Sequence, residues 1–99
     1  ALDHGDSITT SSDIIVGVLS TPGHTAGSTS FTIEGLVFTG DTLFRETIGR
    51  FDLPDGDEKQ EIASIRDVLF DLDDDTIVLP GHGQSTTIGH EKANNRYVR

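Results

Sequence analysis

The sequence predicts a layered α/β unit, and three observations carry that reading. Two short, β-branched apolar runs, at 14–19 and 76–79, each lead into a Pro-Gly pair, the pattern of strands that end in turns. Residues 29–34 and 36–39 flank Gly35, with Phe31 and Ile33 alternating against Thr32 and Glu34, as the arms of a hairpin do. Further on, Ile62, Ile65, Val68 and Leu69 recur at helical spacing and form one apolar stripe.

Taken in order, residues 1–13 are polar and rich in turn formers, with an edge strand or loop over 7–12. The run at 14–19 is continuous rather than alternating, which predicts a strand buried on both faces. The hairpin over 29–39 follows, with Gly40-Asp41 at its exit. No period organises 42–57; Leu43, Phe44 and Ile48 stand there as apolar anchors, and 52–56 is turn chemistry. Asp57 with Gln60 three residues on is a capping-box pattern, so a helix is predicted from about Glu58 to Phe70. Glu58 and Glu61 fall in its first turn, where the helix dipole favours acids. Asp73, Asp74 and Asp75 would oppose that dipole at the other end and belong to the following loop. Residues 76–79 make another buried strand, and a last helix is predicted from about Thr87 to Tyr97. Loops leaving strands are where such folds carry their functional side chains.

Composition narrows the functions available. The 99 residues hold only 33% apolar side chains, 11 Gly and no Trp or Met, a thin supply for an independent core. Seventeen acidic against seven basic residues give a formal charge of −10. Such a surface repels phosphate backbones and anionic lipid, so no nucleic-acid and no membrane partner is expected. The absence of cysteine excludes disulfides, thiolate metal sites and cysteine nucleophiles. No apolar run approaches the roughly 20 residues of a membrane helix, and a cytoplasmic setting is expected. The chain opens on Ala1 rather than Met, which suits a piece of a longer protein and also simple methionine removal.

Three residues share one context. His24 in Thr21-Pro22-Gly23-His24, Asp41 in Thr39-Gly40-Asp41-Thr42 and His82 in Pro80-Gly81-His82-Gly83 each follow a predicted strand and a glycine. A single histidine after Pro-Gly is ordinarily a plain loop residue. The repetition is what singles these out, because imidazole nitrogens and carboxylate oxygens are common metal ligands and carboxylates bridge metal pairs. Their spacing is too wide for a local finger, so they converge only through the fold. Other candidates are weaker. Asp71-Leu72-Asp73-Asp74-Asp75 starts like a calcium loop, but Thr76 and His82 stand where that loop needs Gly and Glu. Arg45 and Arg50 suit either an anionic ligand or structural ion pairs, with Asp52 beside Arg50, and the ion pair is the simpler reading. Ser28 and Ser85 lack an identifiable histidine–carboxylate partner.

The segments around His24 (21–28), Asp41 (38–44) and His82 (79–83), with Gly49-Arg50-Phe51-Asp52 and 86–92 with Asn95, occur here in one order. Together they resemble the C-terminal half of a metallo-β-lactamase-fold hydrolase of the glyoxalase II-like (hydroxyacylglutathione hydrolase-like) branch. That resemblance covers about 14–98 and implies half of a four-layer αββα sandwich, a mixed sheet covered by two helices, with 1–99 as a single unit. It implies His24 as a ligand of a first metal, His82 as a ligand of a second, and Asp41 as the catalytic carboxylate bridging both. It further implies two zinc ions (or iron or manganese) and a bridging hydroxide that attacks a thioester such as an S-acyl-glutathione.

The family's H-x-H-x-D-H signature is not in these 99 residues. His4 and His90 do not replace it. Asn95-Arg96 also stands where relatives often have Asn-Pro. An incomplete metal site is therefore expected, inactive by itself, with exposed sheet surface that pairs with the missing N-terminal half or with a second copy of the chain. The helical domain of longer glyoxalase II enzymes has no counterpart after the last predicted helix, which points to a compact relative. Two other readings stay open: an iron-dependent, persulfide dioxygenase-like parent, and a non-catalytic half-domain.

Overall fold

The computed structural model describes residues 4–5, 7–9, 15–25, 27–49 and 56–98. Six strands form one sheet: β1 (Ser7–Thr9), β2 (Ile15–Ser20), β3 (Thr29–Ile33), β4 (Leu36–Gly40), β7 (Ile77–Pro80) and β8 (Thr86–Thr87), in the spatial order β1-β2-β3-β4-β7-β8. A small hairpin, β5 (Leu43–Phe44) with β6 (Thr47–Ile48), projects after β4. Helix α1 (Glu58–Asp67), a 3-10 turn (Leu69–Asp71) and helix α2 (Ile88–Asn94) complete the chain. The sheet is mixed: β4 and β7 are parallel and every other neighbouring pair is antiparallel. A parallel pair requires a crossover, and the segment containing α1 supplies it.

Register decides what each face of the sheet meets, because directly paired residues share a face. Val37 pairs with Val78, and both are fully buried in a core with Leu43, Ile65, Leu69, Ile88 and Val98. This face is the one the helices cover. The opposite face carries the row Val18, Phe31, Phe38, Leu79 and the row Ile33, Leu36, Ile77. Phe38 and Ile77 are each 42% exposed there, and Phe31, Ile33, Leu36 and Leu79 are only half-buried. Strands thus form at Ile15–Ser20 and Ile77–Pro80, as expected, but β2 is not buried on both faces, and within β7 only Val78 is fully buried. Among the described residues of β2 only Val18 is buried, while Ile15 is 61% exposed.

The capping box forms: the Gln60 N–H donates to Asp57 Oδ1 at 3.0 Å. The helix it opens stops at Asp67, short of the expected Phe70. Beyond Val68 the chain tightens into the 3-10 turn, closed by the Leu72 N–H on the Leu69 carbonyl at 3.1 Å, which buries Leu69 completely. The last helix also ends early, at Asn94. Asn95 leaves helical geometry because its buried side chain bonds outward, donating to Thr47 O at 3.1 Å and Glu91 Oε1 at 2.9 Å. Strands β5, β6 and β8 went unpredicted, since two residues cannot display a period.

Candidate metal centre

Strands β2 and β4 both run antiparallel to β3, and β7 runs parallel to β4. Their C-terminal ends therefore meet at one edge of the sheet. His24 follows β2, Asp41 follows β4 and His82 follows β7. Each is delivered by a tight loop. Gly23 has φ of 140° and lies so close to α1 that a Cβ there would stand 2.2 Å from the Glu61 Cα. Gly40 has φ of 53°, a left-handed conformation that suits glycine, and turns Asp41 out of β4. The Gly81 N–H donates to the Gly40 carbonyl at 2.8 Å, tying the His82 loop to the Asp41 loop.

The three side chains meet around the carboxylate. His24 Nε2 lies 3.7 Å from Asp41 Oδ2, and His82 Nδ1 lies 3.6 Å from Asp41 Oδ1. Each oxygen of one carboxylate thus faces a different imidazole. Among the described residues no three His, Asp or Glu side chains close on a single point as a ready metal cage. The arrangement is two pairs that share Asp41. Imidazole with carboxylate is a donor set suited to zinc or iron. Each pair supplies two ligands, whereas a catalytic zinc takes about three protein ligands and a water, so the set fits part of each sphere. His24 is largely enclosed, with 16% of its side chain exposed, while His82 is 79% exposed. The Phe44 ring supports His82 from one side, with centroids 4.7 Å apart.

A cleft of about 620 Å³ opens over the three residues, walled by Phe44, Thr47, Ile48 and Gly49 from the hairpin region and by Gly83 and Gln84. Arg45 stands at it too, 3.8 Å from Glu46 and donating to the Ser85 carbonyl at 3.4 Å. Arg50 and Asp52 lie outside the described residues. His4 and His90 are elsewhere, as expected. His4 Nδ1 accepts from the Ser20 N–H at 2.9 Å. His90 Nε2 lies 3.0 Å from Glu46 Oε2, and this hydrogen bond holds the Glu46 carboxyl below its usual range.

Two buried acids escaped the sequence reading. Glu91 has no exposed surface and accepts from the Thr86 hydroxyl at 2.7 Å, the Asn95 amide at 2.9 Å and the Glu46 N–H at 2.8 Å. It thereby fastens the β5–β6 hairpin, and with it Phe44, to α2. Glu61 has no exposed surface either, and among the described residues neither carboxyl oxygen has a hydrogen-bond partner, the nearby Gly49 N–H being donated to the Thr42 carbonyl at 3.0 Å. Burial, and then the nearby Glu58 carboxylate, push its pKa up to about 8; the Gly49 N–H opposes that shift. A signal was present: Glu61 stands four residues before Ile65 and eight before Leu69, inside the apolar stripe.

Strands of one direction that present polar side chains at a common edge define an α/β protein with its site at the strand ends. More narrowly, the chain belongs to the metallo-beta-lactamase superfamily, whose family model matches residues 3–82, and hence to a family of metal-dependent hydrolases. The hydroxyacylglutathione hydrolase GloC of Haemophilus influenzae (strain ATCC 51907 / DSM 11121 / KW20 / Rd) is 49% identical over 84 residues, covering 82% of this chain and 39% of GloC. A probable metallo-hydrolase of Streptococcus pyogenes serotype M6 (strain ATCC BAA-946 / MGAS10394) is 54% identical over 82 residues, covering 81% of this chain and 35% of that protein. The solved structure of ETHE1 from Myxococcus xanthus superposes with a TM-score of 0.90 at 39% identity, over 96% of this chain and 44% of ETHE1. TTHA1623, solved in a di-iron-bound form, gives 0.87 at 39% identity, over 97% of this chain and 46% of that one. The chain spans about two fifths of the length of the curated relatives it matches.

Proposed function

We propose that the protein containing this chain hydrolyses a thioester, such as an S-acyl-glutathione, and that the chain supplies one side of its two-metal centre. His24 would hold one metal and His82 the other, with the Asp41 carboxylate shared between the two positions. The observation that supports this best is the pairing of each Asp41 oxygen with a different histidine, at 3.7 and 3.6 Å. Zinc, or iron as in TTHA1623, fits these donors. Metals held there would provide Lewis-acid chemistry, lowering the pKa of a water toward neutral and polarising a carbonyl. The chain's own residues set the geometry: Asp41 fixes the separation of the two positions, Phe44 steadies His82, and Phe44 with Ile48 forms an apolar wall for the acyl group. The remaining ligands come from the rest of the parent protein, which packs on the sheet face carrying Phe31, Phe38 and Leu79. A second copy of the chain is the other possible cover for that face. Alone, the chain is inactive.

The test uses the full-length parent, metal content and release of free thiol from an S-acyl-glutathione. Asp41→Asn should lose most of both metals and at least about a hundredfold in rate, while His24→Ala and His82→Ala should each lose about one metal. Full metal content and turnover in Asp41→Asn would sink the proposal. A second reading, an iron-dependent persulfide dioxygenase-like parent, draws support from the likeness to ETHE1. Oxygen uptake with a persulfide, without thioester cleavage, would favour it. A parent devoid of both activities would favour a non-catalytic binding role.

A further inference from the structure

We propose that Ser64, on the buried side of α1, is a positioning residue for His24. Its hydroxyl clamps the Pro22 carbonyl and so fixes the direction in which the imidazole leaves its loop. The inference rests on the metal-centre reading above and extends it to a side chain away from the cleft.

Three consecutive carbonyls immediately before His24 are held from outside the loop. Thr21 O accepts from the Thr42 hydroxyl at 3.4 Å, Pro22 O from the Ser64 hydroxyl at 2.7 Å, and Gly23 O from the Asp57 N–H at 2.7 Å. Thr42 follows the bridging carboxylate, so the first bond joins the two ligand loops directly. At 3.4 Å it is long for a hydroxyl donor. The other two bonds come from α1 and its cap, and Ser64 makes the only one of them through a side chain. Pro22 has no N–H, so its carbonyl is the one backbone group by which that residue is anchored. Next comes Gly23, with φ of 140°, a conformation other residues resist; it packs against α1, and its N–H donates to the Thr25 carbonyl at 3.0 Å. With the Pro22 and Gly23 carbonyls both held by α1 and its cap, the peptide planes leading to His24 are fixed, and with them the direction in which the imidazole leaves. Ser64 is 6% exposed, so water does not replace its hydroxyl once it is removed. Partners that hydrogen-bond a ligand directly govern metal affinity by roughly tenfold to a hundredfold; a clamp on the backbone two residues before His24 belongs at the lower end of that range.

The test compares Ser64→Ala with Ser64→Thr, which keeps the hydroxyl, in the metal-free full-length protein. Zinc affinity is read by competition with a chromophoric chelator, and thermal unfolding of the apo-protein is followed in parallel. His24→Ala identifies which of the two zinc equivalents depends on His24. Ser64→Ala should weaken that equivalent by about tenfold and leave the other within about twofold, and Ser64→Thr should recover it. Unchanged affinities in a stable Ser64→Ala protein would overturn the clamp alone. So would both equivalents weakening together in step with lost thermal stability, because a merely structural role predicts that. Should Ser64→Ala fail to fold, Ser64→Cys, a near-isostere with a weak donor, is read in the same way. Wild-type protein that binds no zinc through His24 would overturn the metal-centre reading, and the clamp with it.

Discussion

A carboxyl group with no exposed surface and no hydrogen bond of its own costs stability whenever it carries charge, and among the described residues Glu61 bears such a group beneath the His24 loop, with only the Gly49 N–H partly offsetting the cost. Its pKa is raised from 4.5 to about 8, so the folded chain keeps a proton there that the unfolded chain releases. The contribution is fully present below about pH 4.5 and is lost as pH rises toward 8, at up to about 1.4 kcal/mol per pH unit for one group. We predict that urea unfolding of the parent at pH 5, 6.5 and 8 shows this fall, and that Glu61→Gln flattens it and is the more stable form at pH 8. A wild-type profile as flat as the variant's would refute it. The other buried acid, Glu91, receives three donors, and for this chemistry burial without compensation is what separates the two. The site residues themselves were legible because each repeats one local pattern, a strand end, a glycine and a ligand type. Glu61 is less so, because a first-turn position suits an exposed acid through the helix dipole as well as the buried one that the apolar stripe imposes.

At the scale of elements, the β5–β6 hairpin forms the cleft wall and depends on α2 for its position. Asn95→Ala removes the donors to Thr47 O and Glu91 and leaves both acceptors short of a partner. We predict a loss of about 1–3 kcal/mol in chemical denaturation, with a reduced rate because Phe44 no longer steadies His82. Loss of neither would mean that the hairpin is held by other contacts. Gly49 is more restrictive still: a Cβ there would stand 1.6 Å from the Asp41 carbonyl oxygen. Gly49→Ala should therefore displace either the Asp41 loop or the hairpin and lower the yield of folded protein, whereas Gly27→Ala, with no atom of the described residues within 4 Å of its Cβ, should behave as wild type. Helix starts were readable, since Asp57 and Thr87 cap through their own side chains. Helix ends were not: Leu69 lies in a 3-10 turn that packs it into the core, and Asn95 leaves α2 with its side chain on the Thr47 carbonyl, far away in sequence.

At the scale of the molecule, the sheet is covered by helices on one face and shows Phe38, Ile77 and their half-buried neighbours on the other. Exposed apolar surface on a sheet favours association, while a charge of −10 disfavours pairing of identical chains. We predict that the 99-residue chain alone binds a hydrophobic dye, and that adding the remainder of the parent displaces that dye. Phe38→Lys should weaken that pairing without unfolding the chain; dye binding that the remainder leaves unchanged would mean that it packs elsewhere. By itself, the sequence determined the order of the longer strands and the two helices, the hairpin at Gly35, the capped start of α1 and the three glycine-flanked polar residues singled out as candidates, because each is written in neighbouring residues. Only the tertiary structure decided which sheet face is left open, that three strands of common direction bring His24, Asp41 and His82 to one edge, and that α1 grips the His24 loop. Those facts depend on register, crossover and close packing between segments far apart in the chain, which no local pattern encodes.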